Sequence, residues 1–293
     1  MSGKPVAVIT GASAGIGRAT ALAYARKGYA VVVAARREAA LARVAAECDR
    51  AGGVALAVTT DVTDPKQVHA LVARAVETFG RLDVLVNNAG LGVHALAYQI
   101  SDEQMHQAMA VNFYGVLYGC RAAVPVMQAA RRGHIFNVSS VIGKRGSPYN
   151  GAYCAAKFAV CGLTESLRVE LMDWHIRVTL VCPGMTDTEF FDHVVGGDRS
   201  HSSSFRSVRG RMSPDVVARR IVAVTGRKKP ELVFSRGGRF LVYLANRWPG
   251  LADKLMKLYY EALLRRPDEY RRCRGQITPR SAILPTDSRG DRP

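Results

Sequence analysis

A tyrosine and a lysine four residues apart are the residues of this sequence best suited to proton transfer. Tyr153 and Lys157 fall in a helical pattern, where an i,i+4 spacing places both side chains on one face. A free tyrosine has a pKa near ~10, and a neighbouring ammonium would lower that pKa. We therefore expect the pair to act as a general acid and base near neutral pH. For such a pair standing alone, an ordinary helix with an exposed lysine is the more common explanation.

A serine upstream of the tyrosine could polarise a substrate carbonyl group. Ser140 follows an apolar strand pattern, and its hydroxyl can donate a hydrogen bond to a carbonyl oxygen. Ser139 is the alternative, and the 13-residue spacing to Tyr153 selects Ser140. Tyr149 lies close by, and either lining a substrate cleft or simple packing would explain it.

A glycine-rich segment near the N-terminus could bind the phosphates of a nucleotide. The segment Thr10-Gly11-Ala12-Ser13-Ala14-Gly15-Ile16-Gly17 joins a strand pattern to a helix pattern. Gly11 would allow the tight turn, Gly15 would let the backbone approach a pyrophosphate, and Gly17 would let the helix pack on the sheet. Free N–H groups at a helix start also favour an anion. The strand–loop–helix context favours nucleotide binding over a structural turn.

These residues must be positioned by alternating strands and helices. Strands are predicted at 5–10, 30–35, 54–59, 83–86, 133–138, 176–181 and 231–235. Helices are predicted at 16–27, 38–51, 64–79, 101–130, 151–174 and 213–226. Strands that are apolar throughout, each followed by a helix, indicate a parallel sheet covered on both faces. We predict an α/β fold, a Rossmann-like doubly wound sheet of seven parallel strands over residues 1–235, with a C-terminal helical extension over 236–293.

The motifs together resemble the short-chain dehydrogenase/reductase superfamily over roughly residues 4–235. The resemblance rests on the glycine loop, on Ser140 with Tyr153 and Lys157, and on four further matches in the family's order. These are Asp61-Val62, Asn87-Asn88-Ala89-Gly90, Asn112, and Pro183-Gly184 followed by Thr188.

The resemblance implies the residues that would catalyse and bind. The catalytic set is Asn112, Ser140, Tyr153 and Lys157, in which Asn112 holds a water and Lys157 also binds the nicotinamide ribose. The predicted cofactor-binding residues are Gly11, Ser13, Ala14, Gly15, Ile16, Gly17, Arg36, Arg37, Asp61, Val62, Asn88, Ala89, Gly90, Val111, Tyr153, Lys157, Pro183, Gly184, Thr186 and Thr188. No metal site is predicted.

The end of the second strand indicates which nicotinamide cofactor is used. NAD enzymes of this fold usually carry an acid there, which binds the ribose 2′-OH, but this chain has Ala35 followed by Arg36 and Arg37. Arginine can bind a 2′-phosphate with two hydrogen bonds. We predict NADP(H) over NAD(H), with Arg36 as the first choice and Arg37 as the second. Relatives that prefer NADP often have a basic residue where this chain has Ala14, and a solvated arginine pair is the alternative.

The expected activity is hydride transfer between nicotinamide and a carbonyl or secondary alcohol, with Tyr153 as general acid and base. Segments 91–100, 141–150 and 185–211 would contact the substrate, and their apolar residues favour a lipid- or steroid-like molecule. The alternatives are a relative that binds cofactor without turnover, as a scaffold, or an enzyme tethered to a membrane surface by its basic tail.

Charge is concentrated in the C-terminal tail. The chain has 41 Lys+Arg against 24 Asp+Glu, a net charge of +17, and residues 226–293 hold 16 and 7 of these. Basic amphipathic segments with aromatic residues suit a membrane surface, but packing on the domain or across a subunit interface is the favoured explanation. Nucleic acid is not predicted as a partner, because no motif accompanies the charge. The last ~20 residues are expected to be disordered.

Cysteine usage and hydropathy indicate where the protein works. The 6 cysteines include no Cys-x-x-Cys pair, so reduced thiols in a cytoplasmic protein are expected. No apolar run reaches the ~18 residues of a transmembrane helix, which leaves peripheral contact as the only predicted membrane association. By resemblance, we expect a homo-oligomer, a dimer or a tetramer, formed through helices at about 102–130 and 151–174.

Overall fold

A single parallel sheet forms the centre of the computed structural model, which describes residues 3–196, 211–234 and 236–264. The strands are β1 (Val6–Thr10), β2 (Ala30–Ala35), β3 (Val54–Thr59), β4 (Val84–Asn87), β5 (Gly133–Val138), β6 (Ile176–Cys182) and β7 (Glu231–Val233). Their order in the sheet is β3-β2-β1-β4-β5-β6-β7, and every neighbouring pair is parallel. The strand order reverses between β1 and β4, and in such sheets a ligand crevice opens at the carboxyl ends of the strands there.

Helices cover both faces of the sheet, as the sequence predicts. They are α1 (Gly15–Ala25), α2 (Glu38–Arg50), α3 (Pro65–Phe79), α4 (Asp102–Met109), α5 (Gly115–Ala129), α6 (Gly151–Glu170) and α7 (Pro214–Val224). One buried cluster joins the sheet to α3, α5 and α6, through residues such as Leu71, Met127 and Val160. A second cluster joins the other face to α1, α2 and α7, through Leu41 and Val217 among others. The predicted doubly wound fold is confirmed.

Local capping signals determine where several helices begin. Asp64 accepts a hydrogen bond from the backbone N–H of Lys66 at 2.8 Å, and Pro65 occupies the first position of α3, where its missing N–H costs nothing. Ser101 and Gln104 form a reciprocal capping box at the start of α4, with bonds of 3.2 and 3.0 Å. These boundaries follow from the sequence because each depends on neighbouring residues alone.

The predicted helix over 101–130 is interrupted. One turn of π-helix, Ala110–Tyr114, separates α4 from α5. The extra residue in this turn directs Asn112 towards the loop after β4, where its side chain bonds both backbone groups of Leu91. The helix predicted to reach Trp174 also ends earlier, at Glu170.

Two helices form the described part of the C-terminal extension. They are α8 (Arg236–Arg247) and α9 (Pro249–Leu264), which contact each other, and Ala252 of α9 is fully buried. Arg145, in the loop before α6, forms an ion pair with Asp253 of α9. The expectation of disorder concerns residues that lie outside the described ones. No helix in the described ranges is long and apolar enough to cross a membrane.

Candidate active site

A cleft of about 1540 Å³ opens at the carboxyl ends of the strands and brings together most of the predicted site residues. Its lining includes Gly11, Ser13, Ala14, Gly15, Ile16, Arg36, Arg37, Asp61, Val62, Asn88, Ala89, Gly90, Val111, Ser140, Tyr153, Lys157, Pro183, Gly184, Thr186 and Thr188. Gly17 and Asn112 lie behind this surface, where Asn112 is fully buried. Residues 197–210 of the predicted substrate segment lie outside the described ranges.

The backbone of the glycine loop has a conformation and a packing that residues with a Cβ atom could not adopt. Gly11 has a φ of +64°, and a Cβ there would lie 2.7 Å from the Cα of Ala89. Gly15 has a φ of +54°, and its Cβ would lie 2.9 Å from the Cγ2 of Thr188. The absence of Cβ atoms therefore lets the loop pack directly against Ala89 and Thr188. Ala14, at the N-cap of α1, has no polar side chain to bond the first N–H groups, which suits an anion.

The loop after β4 is fastened to the glycine loop. Asn88 donates from its side chain to the carbonyl oxygens of Thr10 and Gly11, at 3.0 and 3.2 Å. Its backbone N–H donates to the Thr10 hydroxyl at 3.0 Å. Asp61, after β3, accepts from the hydroxyl of Thr63 at 2.8 Å, which holds that carboxylate at the wall of the cleft. Loops from three strands thus form a fixed cradle for a nucleotide.

The two predicted arginines differ in their surroundings. Arg37 donates to the Ser13 hydroxyl at 3.1 Å and to the Glu189 carboxylate at 3.1 and 3.2 Å. Arg36 is exposed at the cleft and makes no ion pair with any residue in the described ranges. Glu189 was not predicted as a site residue, and its only sequence signal is an acid directly after Thr188.

The proposed catalytic side chains meet at the floor of the cleft. Lys157 lies one turn after Tyr153 on α6, and its Nζ is 5.6 Å from the centre of the tyrosine ring. Lys157 is buried and donates to the carbonyl oxygen of Val138 at 2.9 Å. The Ser140 hydroxyl lies close enough to the Tyr153 phenol to lower the pKa of that phenol. Ser139, the alternative serine, instead donates to the backbone carbonyl of Lys157 at 3.0 Å.

Asn112 holds the loop after β4 in place. Its Nδ2 donates to the carbonyl oxygens of Leu91 and Ala108 at 2.8 and 2.9 Å, and its Oδ1 accepts from the N–H of Leu91 at 3.1 Å. A Cβ on Gly90 would lie 3.1 Å from that Oδ1 and 3.8 Å from the Nζ of Lys157. Asn112 and Lys157 therefore both lie beside Gly90, and backbone carbonyl groups occupy both donors of the asparagine amide.

The pKa of Tyr153 shifts in the direction opposite to the expectation. Burial raises this pKa above its ordinary value, and the nearby Ser140 hydroxyl opposes that rise only in part. Burial also lowers the pKa of Lys157 to about 8, which weakens the charge expected to lower the tyrosine's pKa. Burial therefore outweighs the ammonium, and the expected lowering of the pKa of Tyr153 does not occur in this arrangement of the side chains. The site holds Tyr153 as a neutral phenol, the form that donates a proton.

The substrate end of the cleft is apolar and includes the C-terminal extension. The ring of Phe190 lies 5.5 Å from that of Tyr153, centre to centre. Leu255 and Met256 of α9 line the same cleft, as do Gly237 and Gly238 of α8. None of these four was predicted to line the cleft. The amphipathic pattern over 251–264 was the available signal, but a pattern gives a helix face without showing what it covers.

Comparisons with known proteins agree with this geometry. The sequence pattern of the family described as short chain dehydrogenase matches residues 5–197. The 3-ketodihydrosphingosine reductase of Bacteroides thetaiotaomicron is 33% identical, in an alignment covering 86% of this chain and 95% of that protein.

Two solved structures are also similar. A short chain dehydrogenase/reductase from Burkholderia phymatum, in complex with NAD, has a TM-score of 0.79 and 31% identity and covers 85% of this chain and 95% of its own. An alcohol dehydrogenase from the archaeon Thermococcus sibiricus, complexed with 5-hydroxy-NADP, has a TM-score of 0.70 and 31% identity, covering 79% and 96%.

The fold and the site define a nucleotide-binding oxidoreductase that acts on CH–OH or C=O groups with NAD or NADP. The chain belongs to the short-chain dehydrogenase/reductase family.

Proposed function

We propose that the protein reduces an apolar ketone with NADPH, or oxidises the corresponding secondary alcohol with NADP. The convergence of Ser140, Tyr153 and Lys157 beside the glycine cradle carries this proposal. The cradle suits the pyrophosphate of a dinucleotide because the first N–H groups of α1 have no side-chain cap at Ala14. The scaffold alternative has less support, since all four residues of the catalytic set are present.

The chain's own residues would handle the proton. The nicotinamide, when bound, supplies or accepts the hydride at the substrate carbon. Ser140 and Tyr153 donate hydrogen bonds to the carbonyl oxygen, and Tyr153 transfers its phenolic proton to that oxygen as negative charge develops there. The Lys157 ammonium, one helical turn away, stabilises the tyrosinate that remains. Alcohol oxidation reverses each of these steps.

The choice of NADP rests on Arg36. The end of β2 carries Ala35 where an acid would repel a 2′-phosphate, and Arg36 is exposed at the cleft beside it. Arg37 already donates to Glu189, so a phosphate would have to compete for that guanidinium. Arg36 therefore remains the first choice for the phosphate.

Substitution of the tyrosine tests the activity. Purified protein is supplied with NADPH and a panel of ketones, and loss of nicotinamide absorbance is followed. Tyr153→Phe is expected to lower kcat by at least about 100-fold, because the proton donor is lost. NADPH affinity should stay within about threefold, because the phenol makes few of the dinucleotide contacts.

A tyrosine outside the cleft provides the control for this substitution. Tyr114→Phe alters a tyrosine that is 43% exposed and lies outside both the cleft lining and the predicted substrate segments, and it should leave turnover unchanged. Turnover by Tyr153→Phe at the wild-type rate would contradict the mechanism. NADPH binding without turnover of any ketone or alcohol would favour the scaffold alternative.

A lipid-like substrate is favoured by the side chains at the far end of the cleft. Leu91, Ile142, Phe190, Leu255 and Met256 line it. The similar protein from Bacteroides thetaiotaomicron is named for a ketone of the sphingolipid type. In a homologous series of ketones, each added methylene should raise kcat/KM by about threefold to fourfold until the cleft is filled. A flat series would contradict an apolar binding site.

The proposed homo-oligomer has support on α6 and the turn after it. Phe158, Val169, Met172 and Trp174 are apolar and between 39% and 66% exposed. Burial between two copies would remove this surface from water. Light scattering should give at least a dimer, and Val169→Lys should lower the measured mass.

A further inference from the structure

The C-terminal helices expose more large apolar side chains than a helix packed on a domain requires. On α8, Phe240 and Tyr243 are 63% and 65% exposed, and their i,i+3 spacing places them on one face. On α9, Leu251, Leu255 and Leu258 are 49%, 42% and 60% exposed and follow an i, i+4, i+7 pattern. Leu244, Ala245 and Ala252 are buried, so part of each helix packs on the protein. Each helix also carries large apolar side chains that are open to solvent.

Basic side chains accompany this apolar surface. The guanidinium of Arg247 lies 5.3 Å from the ring centre of Trp248, which is itself 49% exposed at the junction of the two helices. Lys254 and Lys257 are exposed on α9. Residues 236–264 contain five Lys/Arg and two Asp/Glu, and one of those acids, Asp253, is paired with Arg145. The surface thus combines apolar and aromatic groups with a net positive charge.

The exposed face of α9 reaches the mouth of the active-site cleft. Leu255 belongs to the exposed leucine stripe and also lines the cleft, and its neighbour Met256 lines the cleft beside it. The ion pair between Arg145 and Asp253 fastens α9 to the loop that connects Ser140 with Tyr153. An apolar molecule lying against the leucine stripe would therefore meet the entrance of the cleft.

We infer that the exposed face of α8 and α9 docks on the surface of an anionic lipid bilayer, with the mouth of the cleft turned towards the lipid. Helices that lie in a membrane interface combine an apolar face with basic residues, and aromatic rings prefer the level of the headgroups. The positive charge of this face complements anionic lipid. The described helices are too short and too polar to span the bilayer, so the contact is peripheral.

Docking itself does not depend on the chemistry of the site. Transfer of an apolar ketone from the bilayer into the cleft does rest on the proposed function. The two ideas therefore need separate readouts, one of vesicle binding and one of turnover.

Vesicle flotation of the full-length protein tests the docking. Wild type should float with vesicles of phosphatidylcholine containing phosphatidylglycerol. Binding to pure phosphatidylcholine vesicles, or in high salt, should be at least about tenfold weaker, because the attraction between exposed charges is lost or screened. Phe240→Ser with Leu258→Ser removes two side chains that lie outside the cleft lining, and it should weaken partitioning by about tenfold or more.

Charge variants and matched controls complete the design. Lys254→Gln should weaken binding to the anionic vesicles by about fivefold, and it gives a second test should the apolar double variant fail to fold. Tyr98→Ser removes an equally exposed ring elsewhere, and Arg74→Gln removes an exposed charge on α3. Both controls should float as wild type does.

Three results would overturn the docking proposal. In the first, wild type stays out of the floating fraction with the anionic vesicles. In the second, Phe240→Ser with Leu258→Ser and Lys254→Gln float as wild type does. In the third, the protein does not float, and Phe240→Ser with Leu258→Ser lowers its molar mass in solution. That result would show that the face joins two copies of the chain. Flotation without turnover of any ketone in the homologous series would refute the proposed function and leave docking supported.

Discussion

Removal of the Arg36 guanidinium should weaken NADPH binding selectively. Arg36 is exposed at the cleft beside Ala35, and no residue in the described ranges forms an ion pair with it. The proposal assigns it to the 2′-phosphate, the only group that distinguishes NADPH from NADH. Arg36→Ala should therefore raise the Kd for NADPH and leave the Kd for NADH unchanged.

The magnitude follows from the exposure of the side chain. A charge-assisted hydrogen bond contributes about 1.5–3 kcal/mol where both groups leave water. Because Arg36 is exposed, solvent screening reduces this to about 1–2 kcal/mol. The expected rise in Kd is therefore about 5-fold to 30-fold. The effect should shrink as salt is added, since the attraction between exposed charges is screened.

The neighbouring arginine gives an internal comparison. Arg37 is held by Glu189 at 3.1 Å, and the two side chains are 49% and 56% exposed. A 2′-phosphate would have to displace this carboxylate, so Arg37→Ala should raise the Kd for NADPH by less than Arg36→Ala does. Glu189→Gln should lower that Kd by about twofold to fivefold, because it removes a competing anion.

Fluorescence titration with NADPH and NADH measures the Kd values of the wild type and all four variants under the same conditions. Arg43→Ala is the matched control, because Arg43 is an exposed arginine on α2 outside the cleft lining. The reasoning is refuted if Arg36→Ala changes both Kd values equally, or changes neither. If Arg37→Ala raises the Kd for NADPH more than Arg36→Ala does, Arg37 is the residue that binds the 2′-phosphate.

Two further predictions follow from buried titratable groups. Lys157→Met should abolish turnover yet stabilise the fold near pH 7 by about 2 kcal/mol. Burial lowers the pKa of Lys157 to about 8, so keeping this lysine charged destabilises the folded state, and the substitution removes that cost. Loss of the hydrogen bond to Val138 reduces the gain by about 1 kcal/mol. This gain in stability should shrink as the pH rises from about 8 to 10.5, because in that range the lysine binds a proton only in the unfolded state. Urea unfolding at a series of pH values measures the change. His134 is neutral in the fold because burial lowers its pKa to about 3, so stability should fall with pH below about 6.5, by at most about 1.4 kcal/mol per unit. His134→Asn should flatten that slope in acid unfolding curves, whereas His69→Gln, at an exposed position, should not.

Features that depend on neighbouring residues could be predicted from the sequence. Asp64 with Pro65 starts α3, and Ser101 with Gln104 starts α4, because each cap is closed within one helical turn. The glycine loop belongs to the same group, since its strand and its helix flank it directly. The seven apolar strands predicted the sheet because burial on both faces leaves no polar alternation.

Features that depend on distant residues could not be predicted. Arg37 and Glu189 form an ion pair although they are 152 positions apart in the sequence, and no local pattern predicts such a contact. Leu255 joins the cleft wall only because Arg145 and other contacts dock α9 beside it. The predicted direction of the pKa shift of Tyr153 differs from the structure for the same reason. Burial depends on the assembled fold, and its effect on this pKa is larger than that of the neighbouring ammonium.

The two ends of the cleft recognise their ligands by different physical means. At the cofactor end, Asn88 and Asn112 fix the backbone through short hydrogen bonds, so a ligand there meets polar groups with set positions. At the substrate end, Phe190, Leu255 and Met256 offer apolar contact without fixed donors. An apolar pocket discriminates weakly, by about 1–3 kcal/mol per methylene, whereas a site built from hydrogen bonds rejects a ligand that lacks a partner group much more strongly. The protein should therefore require the polar groups of a dinucleotide at one end of the cleft and favour longer apolar chains, by small steps, at the other, with the carbonyl fixed by Ser140 and Tyr153.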